Sequence, residues 1–219
     1  MNILIVSATQ LEVKPLLDFL ELKELGIGMN TSAKKIKSHT VHILITSVGM
    51  VNTAFMMGRY AHQDYDLVMN VGICGAFDRA FNLGQVVNVT EDVVSELGAE
   101  DGEDFLPFDS LGLSGEVTFF NTCASEFLHI NSLKKVKGIT VNTIHGNEFS
   151  IDKVKKLYHP DVESMEGAAF FAASSPSYKN VYQIRCISNY VEKRDKSKWQ
   201  IPLAIKHLNE FLIGLLSTV

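Results

Sequence analysis

The sequence lacks the features that mark several large classes of protein. Its three cysteines, Cys74, Cys123 and Cys186, are an odd number at wide spacing. That spacing fits neither a disulfide framework nor a zinc cluster, and it indicates a reducing compartment. No window approaches the ~18 consecutive apolar residues of a membrane-spanning helix, and the first residues lack the basic segment of a signal peptide. We therefore expect a cytoplasmic protein with no membrane partner.

Positive charge is also scarce. Twenty Lys and Arg stand against 25 Asp and Glu, which gives a net charge of -5, and no basic block occurs. Nucleic-acid binding needs clustered positive charge, so we expect no nucleic-acid partner. The sequence has no Walker loop, Cys-x-x-Cys pair, His-Glu-x-x-His motif or Gly-x-Ser-x-Gly elbow. We accordingly expect no metal and no other cofactor.

Short apolar runs alternate with amphipathic stretches along the chain. The 219 residues are 46% hydrophobic, and no Pro/Gly-rich linker divides them, so we expect a single domain over residues 1–219. The alternation predicts an α/β fold with a mostly parallel, twisted sheet covered by helices on both faces. Strands are predicted at 3–8, 41–47, 67–71, 86–89, 139–144 and 181–187, and helices at 13–20, 52–62, 152–158, 166–173 and 201–216.

The residues that follow these strands carry the side chains expected of a ligand site. In open α/β sheets, ligands bind beyond the carboxyl ends of the strands. Small, polar or acidic residues follow the apolar runs at 9–12, 48–50, 72–77, 146–150, 165–166 and 188–189. A long polar stretch at 91–115 is predicted to be a loop, and loops of that length are more often functional than idle.

Each of these motifs also has a plain structural interpretation. Thr9 and Glu12 have the spacing of a capping box, and on spacing alone that interpretation is favoured. Gly72 and Gly75 fit a tight turn as well as a close approach of a ligand to the backbone. Asn189 fits a turn. Taken one at a time, the motifs leave both interpretations open.

Taken together and in order, the segments resemble the nucleoside phosphorylase/nucleosidase superfamily over nearly the whole chain. The matching segments are 7–13, 70–76, 146–149, 165–169 and 187–189. The Met165-Glu166 element with the N-terminal Glu12 resembles the hydrolase branch, which includes methylthioadenosine/S-adenosylhomocysteine nucleosidases. Segments 95–102, 105–107 and 188–192 resemble the futalosine hydrolase branch more closely. The resemblance implies a three-layer nucleoside phosphorylase-like fold, a small-molecule nucleoside substrate and a homo-oligomer, a dimer or larger.

The resemblance also implies a role for each candidate residue. Glu12 is expected to activate the attacking water, Glu166 to hold the ribose hydroxyls and Asn189 to face the purine near N7. The expected binding residues are Gly72, Ile73, Cys74 and Gly75 beside the leaving group, Met165 on the sugar, Phe149 stacked on the purine, and Phe105 with its neighbours up to Phe108 at the 5′ end. A neighbouring subunit is one source of that last segment.

One departure from the adenine-specific nucleosidases concerns the base. Those enzymes carry Asp where this chain has Asn189. An ionised Asp only accepts hydrogen bonds, whereas Asn also donates them, so Asn189 matches the 6-oxo oxygen of hypoxanthine, the base of futalosine. Such a mismatch can discriminate by as much as ~10⁴-fold. Because Asn is no strong acid, N7 is expected to be protonated by water or stabilised by hydrogen bonding alone.

A second departure concerns phosphate. Phosphorylases of the superfamily bind phosphate with a Gly- and Arg-bearing N-terminal loop, but residues 7–12 contain neither, and Glu12 repels an anion. The extra Ser164 breaks the usual Val-Glu-Met-Glu spacing, so Glu163 receives no role. For the basic residues Arg194, Lys193 and Arg79, a solvated surface position is the favoured interpretation.

The predicted function is hydrolysis of the N-glycosidic bond of futalosine in menaquinone biosynthesis, with release of hypoxanthine and dehypoxanthine futalosine. The first alternative is a methylthioadenosine/S-adenosylhomocysteine nucleosidase that releases adenine, against which Asn189 argues. The others are a purine nucleoside phosphorylase and a non-catalytic nucleoside sensor.

Overall fold

The computed structural model describes residues 1–22, 31–61, 64–124, 127–174 and 177–218. Its strands are β1 (Asn2–Ser7), β2 (Thr31–Ile36), β3 (His39–Ile45), β4 (Leu67–Ala76), β5 (Val86–Val94), β6 (Gly98–Asp101), β7 (Asp104–Pro107), β8 (Thr118–Phe120), β9 (Thr122–Cys123), β10 (Lys134–Thr140), β11 (Val162–Ser164) and β12 (Asn180–Tyr190). Its α-helices are α1 (Lys14–Phe19), α2 (Met50–Tyr60), α3 (Leu128–Asn131), α4 (Glu148–Tyr158), α5 (Gly167–Ser174) and α6 (Ile201–Thr218).

A central sheet of ten strands holds the molecule together. β3, β1, β4 and β12 lie side by side in parallel, and β10 is parallel to both β5 and β11. β11 pairs antiparallel with β4, and β5 pairs antiparallel with β12. The strands β4, β11, β10, β5 and β12 therefore form a closed circuit of pairing, and β2 and β3 extend the sheet beyond β1.

Helices cover this sheet on both faces and form the two larger parts of the core. On one face, Leu16 and Leu17 of α1 and Leu212 of α6 pack with Ile5 of β1 and Ile184 of β12. On the other face, side chains of α2 and α5, among them Met57 and Phe170, pack on β1 and β4. All of these side chains are buried, and burial of a large apolar side chain contributes roughly 1.5–3 kcal/mol.

The α/β class and the sheet flanked by helices are confirmed. Antiparallel pairs are more numerous than the simple alternation of strands and helices predicted, because short strands such as β2, β8 and β9 pair with their neighbours in reverse. The stretch predicted as a loop at 91–115 instead contains the end of β5 and the β6–β7 hairpin. Gly102, at a φ of 63°, allows the tight turn of that hairpin. The predicted end of the second helix, at 62, lies outside the described residues.

Candidate active site

A cavity of about 370 Å³ opens where β1, β4 and β12 end and α5 begins. That volume is within the range of small-molecule sites. Seven of the ten predicted site residues line it, and they come from four separate parts of the chain. They are Glu12, Ile73, Cys74, Gly75, Met165, Glu166 and Asn189.

The carboxylate of Glu12 is fixed in one orientation. Oε2 accepts hydrogen bonds from the backbone N–H and the hydroxyl of Thr9, at 3.0 and 2.9 Å, and Oε1 accepts from the backbone N–H of Ile73 at 3.1 Å. The Thr9 contacts are those of a capping box, although regular α1 begins only at Lys14. The capping and ligand-site interpretations are therefore compatible, because the same carboxylate makes the local contacts and lines the cavity.

Glu166 lies in the same cavity and is almost fully buried. Its Oε1 accepts from the backbone N–H of Gly49 at 3.2 Å, and its Oε2 lies 3.5 Å from Nη1 of Arg185. Burial raises the pKa of the Glu166 carboxyl and the nearby Glu12 raises it further, whereas Arg185 lowers it. The guanidinium thus offsets part of the cost of two acidic side chains in one buried site.

Gly72 contributes space rather than cavity surface. A Cβ at this position would lie 2.5 Å from Nη1 of Arg185 and 2.7 Å from Oε1 of Glu12. Both distances are shorter than ordinary van der Waals contact, so only glycine lets these two side chains approach the strand. Gly72 therefore acts on the site through Glu12 and Arg185, and it does not line the cavity.

A local irregularity of β12 positions Asn189. The register against β4 shifts between Ile187 and Asn189, so Ser188 is an extra residue, as in a β-bulge. The Ser188 hydroxyl donates to Oδ1 of Asn189 at 2.8 Å, and Nδ2 donates to the carbonyl of Tyr190 at 3.1 Å. The second N–H of the carboxamide and the remaining lone pair of Oδ1 are left for a ligand.

Two residues with no predicted role, His145 and Glu163, form a hydrogen-bonded pair in the cavity wall. Nδ1 of His145 lies 2.7 Å from Oε2 of Glu163, and the backbone N–H of His145 donates to Oε1 at 3.1 Å. Both side chains line the cavity. No spacing motif marks the pair, because the register of β11 rather than proximity along the chain brings the two together.

The mouth of the cavity combines an apolar wall with one guanidinium. Leu11, Trp199, Ile201 and Ile205 supply apolar surface there. Arg194 also lines the cavity, with its guanidinium carbon 4.9 Å from the centre of the Trp199 ring. Arg194 is exposed, as predicted, but its side chain also borders the candidate site.

Two predicted binding residues lie elsewhere in the single chain. Phe149 does not line the cavity, and its side chain is 87% exposed. The reason is local: Asn147 caps α4 by accepting from the backbone N–H of Phe149, and this fixes the first turn with the phenyl ring outward. Phe105 lines a second cavity beside the β6–β7 hairpin, which shares His145 with the first. Within one subunit, Phe149 and Phe105 therefore lie outside the cavity that the other candidate residues share, and their binding roles stay predictions.

The described residues contain neither a helix suited to cross a membrane nor a metal-binding cluster. None of the helices in those ranges combines the length and hydropathy that a membrane crossing requires. Across the same part of the chain, His, Cys, Asp and Glu side chains form no group of three or more that could hold a metal ion.

Comparison with protein families gives one match that spans the chain. A family model described as the phosphorylase superfamily matches residues 2–217. A futalosine hydrolase of Thermus thermophilus is 29% identical over 181 residues, which cover 80% of this chain and 80% of that protein. A futalosine hydrolase of Acidothermus cellulolyticus is 29% identical over 192 residues, 84% of this chain and 78% of that protein.

Solved structures share the fold at lower identity. A methylthioadenosine/S-adenosylhomocysteine nucleosidase of Helicobacter pylori superimposes with a TM-score of 0.84 at 14% identity, over 100% of this chain and 99% of that one. The futalosine hydrolase of the same organism has a TM-score of 0.84 at 13% identity, over 100% and 98% of the two chains. The two likenesses are equal in TM-score, so the fold does not distinguish between these substrates.

Proposed function

Because this chain belongs to the phosphorylase superfamily, we propose that it is an N-ribosyl hydrolase that cleaves futalosine with water and releases hypoxanthine. Its similarity to two futalosine hydrolases over most of both chains supports this activity. The observation that carries the proposal is the placement of Glu12, Glu166 and Asn189 in one cavity.

The geometry suits cleavage through a positively charged sugar. As the bond between C1′ and N9 breaks, both electrons of the bond leave with the purine and C1′ gains oxocarbenium character. Glu12, held by four hydrogen bonds, takes a proton from the water that attacks C1′. Glu166 accepts from the ribose hydroxyls, and its negative charge stabilises the cationic sugar.

The charge of the cavity favours water over phosphate as the nucleophile. Four carboxylates line it in the described residues, those of Glu12, Glu163, Glu166 and Glu192. Arg185 faces Glu166, and it is not among the lining residues. A phosphate dianion beside Glu12 would be repelled, and the repulsion is strong in a partly buried site.

Asn189 supports a 6-oxopurine as the leaving base. With Oδ1 accepting from Ser188, the carboxamide still offers one N–H to an oxo oxygen and one lone pair to a protonated ring nitrogen. A 6-amino group is itself a donor, so it would face the Asn189 N–H without forming a hydrogen bond. The same argument ranks the methylthioadenosine/S-adenosylhomocysteine alternative second.

The mouth of the cavity suits the 5′ substituent of futalosine, an aromatic ring that carries a carboxylate. Trp199, Ile201 and Ile205 supply the apolar surface for the ring. Arg194 supplies a cation, and among the described residues no ion pair occupies its guanidinium. We place the carboxylate on Arg194.

Exposed apolar residues of α2 and of the cavity lining favour a homo-oligomer. Leu11, Val51 and Phe55 are 66%, 79% and 59% exposed. Apolar residues grouped on a surface are typical of interfaces. In such an assembly Phe105 of a neighbouring subunit is available to close the 5′ end. Light scattering on the purified protein tests this, and a monomer at working concentration would contradict it.

The decisive experiment compares futalosine, inosine and methylthioadenosine, each with and without phosphate. We expect hypoxanthine from futalosine at a rate that does not depend on phosphate. Adenine release from methylthioadenosine as the faster reaction would favour the nucleosidase alternative, ribose 1-phosphate a phosphorylase, and binding without base release a sensor. Glu12→Gln should lower kcat by ~10²–10⁴-fold, and Glu210→Gln on the exposed face of α6 serves as the control.

A further inference from the structure

The proposed reaction leaves one proton unaccounted for. When the C1′–N9 bond breaks, the purine carries the bonding electrons, and it must gain a proton to leave as neutral hypoxanthine. The carboxamide of Asn189 can hydrogen-bond the purine but is too weak an acid to protonate it. Glu12 and Glu166 are needed as carboxylates for the water and the ribose. A separate proton donor beside the base would complete the chemistry.

His145 has the geometry of such a donor. Its Nδ1 faces the carboxylate of Glu163 at 2.7 Å, and a carboxylate only accepts, so Nδ1 carries a hydrogen. Glu163 is 5% exposed and also accepts from the backbone N–H of His145, so the carboxylate fixes both the tautomer and the ring orientation. No hydrogen bond among the described residues uses Nε2. The ring nitrogen opposite the carboxylate is therefore available to a ligand in the cavity.

The pair lies next to the group that faces the base. The position that a Cβ on Gly75 would occupy is 3.2 Å from Nδ2 of Asn189 and 3.6 Å from Cγ of Glu163. These side chains are therefore neighbours around the same strand end, and His145 lines the same cavity. A purine held by Asn189 would therefore share this cavity with the imidazole that Glu163 orients.

We infer that His145 is the catalytic acid that protonates the leaving purine, and that Glu163 is its positioning residue; the inference rests on the proposed hydrolysis. As C1′–N9 breaks, the proton moves from Nε2 of the imidazolium to a ring nitrogen of the purine, and the imidazole becomes neutral. Nδ1 keeps its hydrogen and its hydrogen bond to the Glu163 carboxylate. Glu12 takes the proton lost by the attacking water. That proton passes to solvent and solvent reprotonates His145, so nucleoside and water yield free base and sugar with all protons balanced.

A purely structural role for the His145–Glu163 pair makes a different prediction. The pair also ties the segment after β10 to β11, and loss of that tie would disturb every substrate alike. A proton donor matters only when the leaving group needs a proton. Substrates whose leaving groups depart without gaining a proton therefore distinguish a structural role from a proton-donor role.

The test is His145→Gln, assayed on futalosine, on its 7-methyl derivative and on 4-nitrophenyl β-riboside. The 7-methyl purine is already cationic and nitrophenolate leaves as an anion, so neither needs the proton. We expect kcat on futalosine to fall by ~10²–10⁴-fold with little change in KM. The rates on the 7-methyl derivative and on 4-nitrophenyl β-riboside should stay near those of the unmodified protein. His129→Gln, an exposed histidine of α3, is the matched control.

Two results for His145→Gln would overturn this inference and leave the proposed function intact. They are an unchanged kcat on futalosine and an equal fall in kcat on all three substrates. Glu163→Gln provides a second reading if His145→Gln folds poorly, since Gln keeps a hydrogen-bond acceptor and removes the charge. It should give a smaller loss with the same dependence on the leaving group, and a uniform loss would again contradict the role. If the unmodified protein released no base from futalosine, the proposed function itself would fail.

Discussion

The guanidinium of Arg185 lies 3.5 Å from the carboxylate of Glu166, and both side chains are almost completely buried. Arg185 also donates to Oδ1 of Asn70, another buried side chain. The arginine therefore supplies positive charge behind a site lined with carboxylates. It opposes the rise in the pKa of Glu166 that burial and the neighbouring Glu12 cause.

Arg185→Met should be strongly destabilising, because it leaves Glu166 buried without a counter-charge. Breaking a buried pair in this way typically costs about 3–5 kcal/mol of unfolding free energy. Urea denaturation measures the loss. Arg79→Met is the matched control, because Arg79 pairs with Glu192 at the surface and its side chain is 68% exposed. Loss of this exposed pair should lower the unfolding free energy by only about 0–1 kcal/mol. Equal effects of the two substitutions would show that the buried pair has no special weight.

Gly72→Ala should lower activity by moving Glu12. The added methyl group would collide with Glu12 and Arg185, and the bonds that orient the Glu12 carboxylate would be disturbed. We expect kcat to fall more than KM rises, since the role proposed for Glu12 is to activate the water rather than to bind the nucleoside. Gly58→Ala is the control: a Cβ there meets nothing within 4 Å, and in α2 the change should stabilise the helix by up to ~1 kcal/mol. A Gly72→Ala protein with full kcat would contradict this account.

The sequence predicted the parts of the site that depend on strand ends. Glu12 and Asn189 each follow or end an apolar run, and parallel strands bring their carboxyl ends to one edge, so both could be placed without knowing the register. Glu166 could also be predicted from the sequence, since it directly precedes a run of residues expected to form a buried helix. Each helix and strand predicted from periodicity overlaps an observed element, but the strands β2, β6, β7, β8, β9 and β11 and the short helix α3 were not predicted.

The residues that the sequence could not assign depend on long-range pairing. Arg185 lies inside the otherwise apolar β12, and only the structure shows it opposite Glu166. His145 and Glu163 meet because β10 and β11 are adjacent, with Ile139 opposite Glu163. Phe149 lies outside the cavity lining because capping by Asn147 sets the direction of its side chain, a detail of local geometry that the residue type does not determine.

Asn189→Asp should change the base that the enzyme prefers. A carboxylate accepts from a 6-amino group but repels a 6-oxo oxygen, so kcat/KM for futalosine should fall by ~10²-fold or more while the 6-amino analogue gains relative to it. Competition between the two nucleosides measures the ratio. Asn189→Ala is the comparison, because it removes the contact and should slow both substrates without reversing the preference. An unchanged ratio in Asn189→Asp would show that residue 189 does not read the base.

Asp92 should make stability depend on pH, although it lies outside the cavity lining. Burial raises its pKa to about 6, opposed by hydrogen bonds from Gln183 and Thr140 and by the charge of Arg185. The unfolded chain releases this proton near pH ~4, so the folded state binds more protons in between, and stability falls as pH rises from about 4 to about 6.

Asp92→Asn should remove that part of the pH dependence, which amounts to about 2–3 kcal/mol. The introduced amide can replace the carboxylate because Oε1 of Gln183 has no hydrogen-bond partner among the described residues, and a flipped Gln183 amide would accept from the new side-chain N–H. Urea denaturation at about pH 4, 6 and 8 tests this. The difference in unfolding free energy between the variant and the unmodified protein should grow with pH, and a constant difference would contradict the shifted pKa.

Arg194→Gln should weaken binding of futalosine and leave inosine unaffected, because only futalosine carries a carboxylate on its 5′ substituent. Hydrogen bonds to a charged group contribute about 1.5–3 kcal/mol, so KM for futalosine should rise by roughly 10–100-fold at nearly constant kcat. Lys193→Gln is a close control, since Lys193 is the adjacent exposed cation and does not line the cavity. If both variants raised KM equally, general attraction by the local positive charge would explain the binding. If Arg194→Gln slowed inosine as well, the guanidinium would act on the part of the nucleoside that the two substrates share, and the carboxylate would have to bind elsewhere.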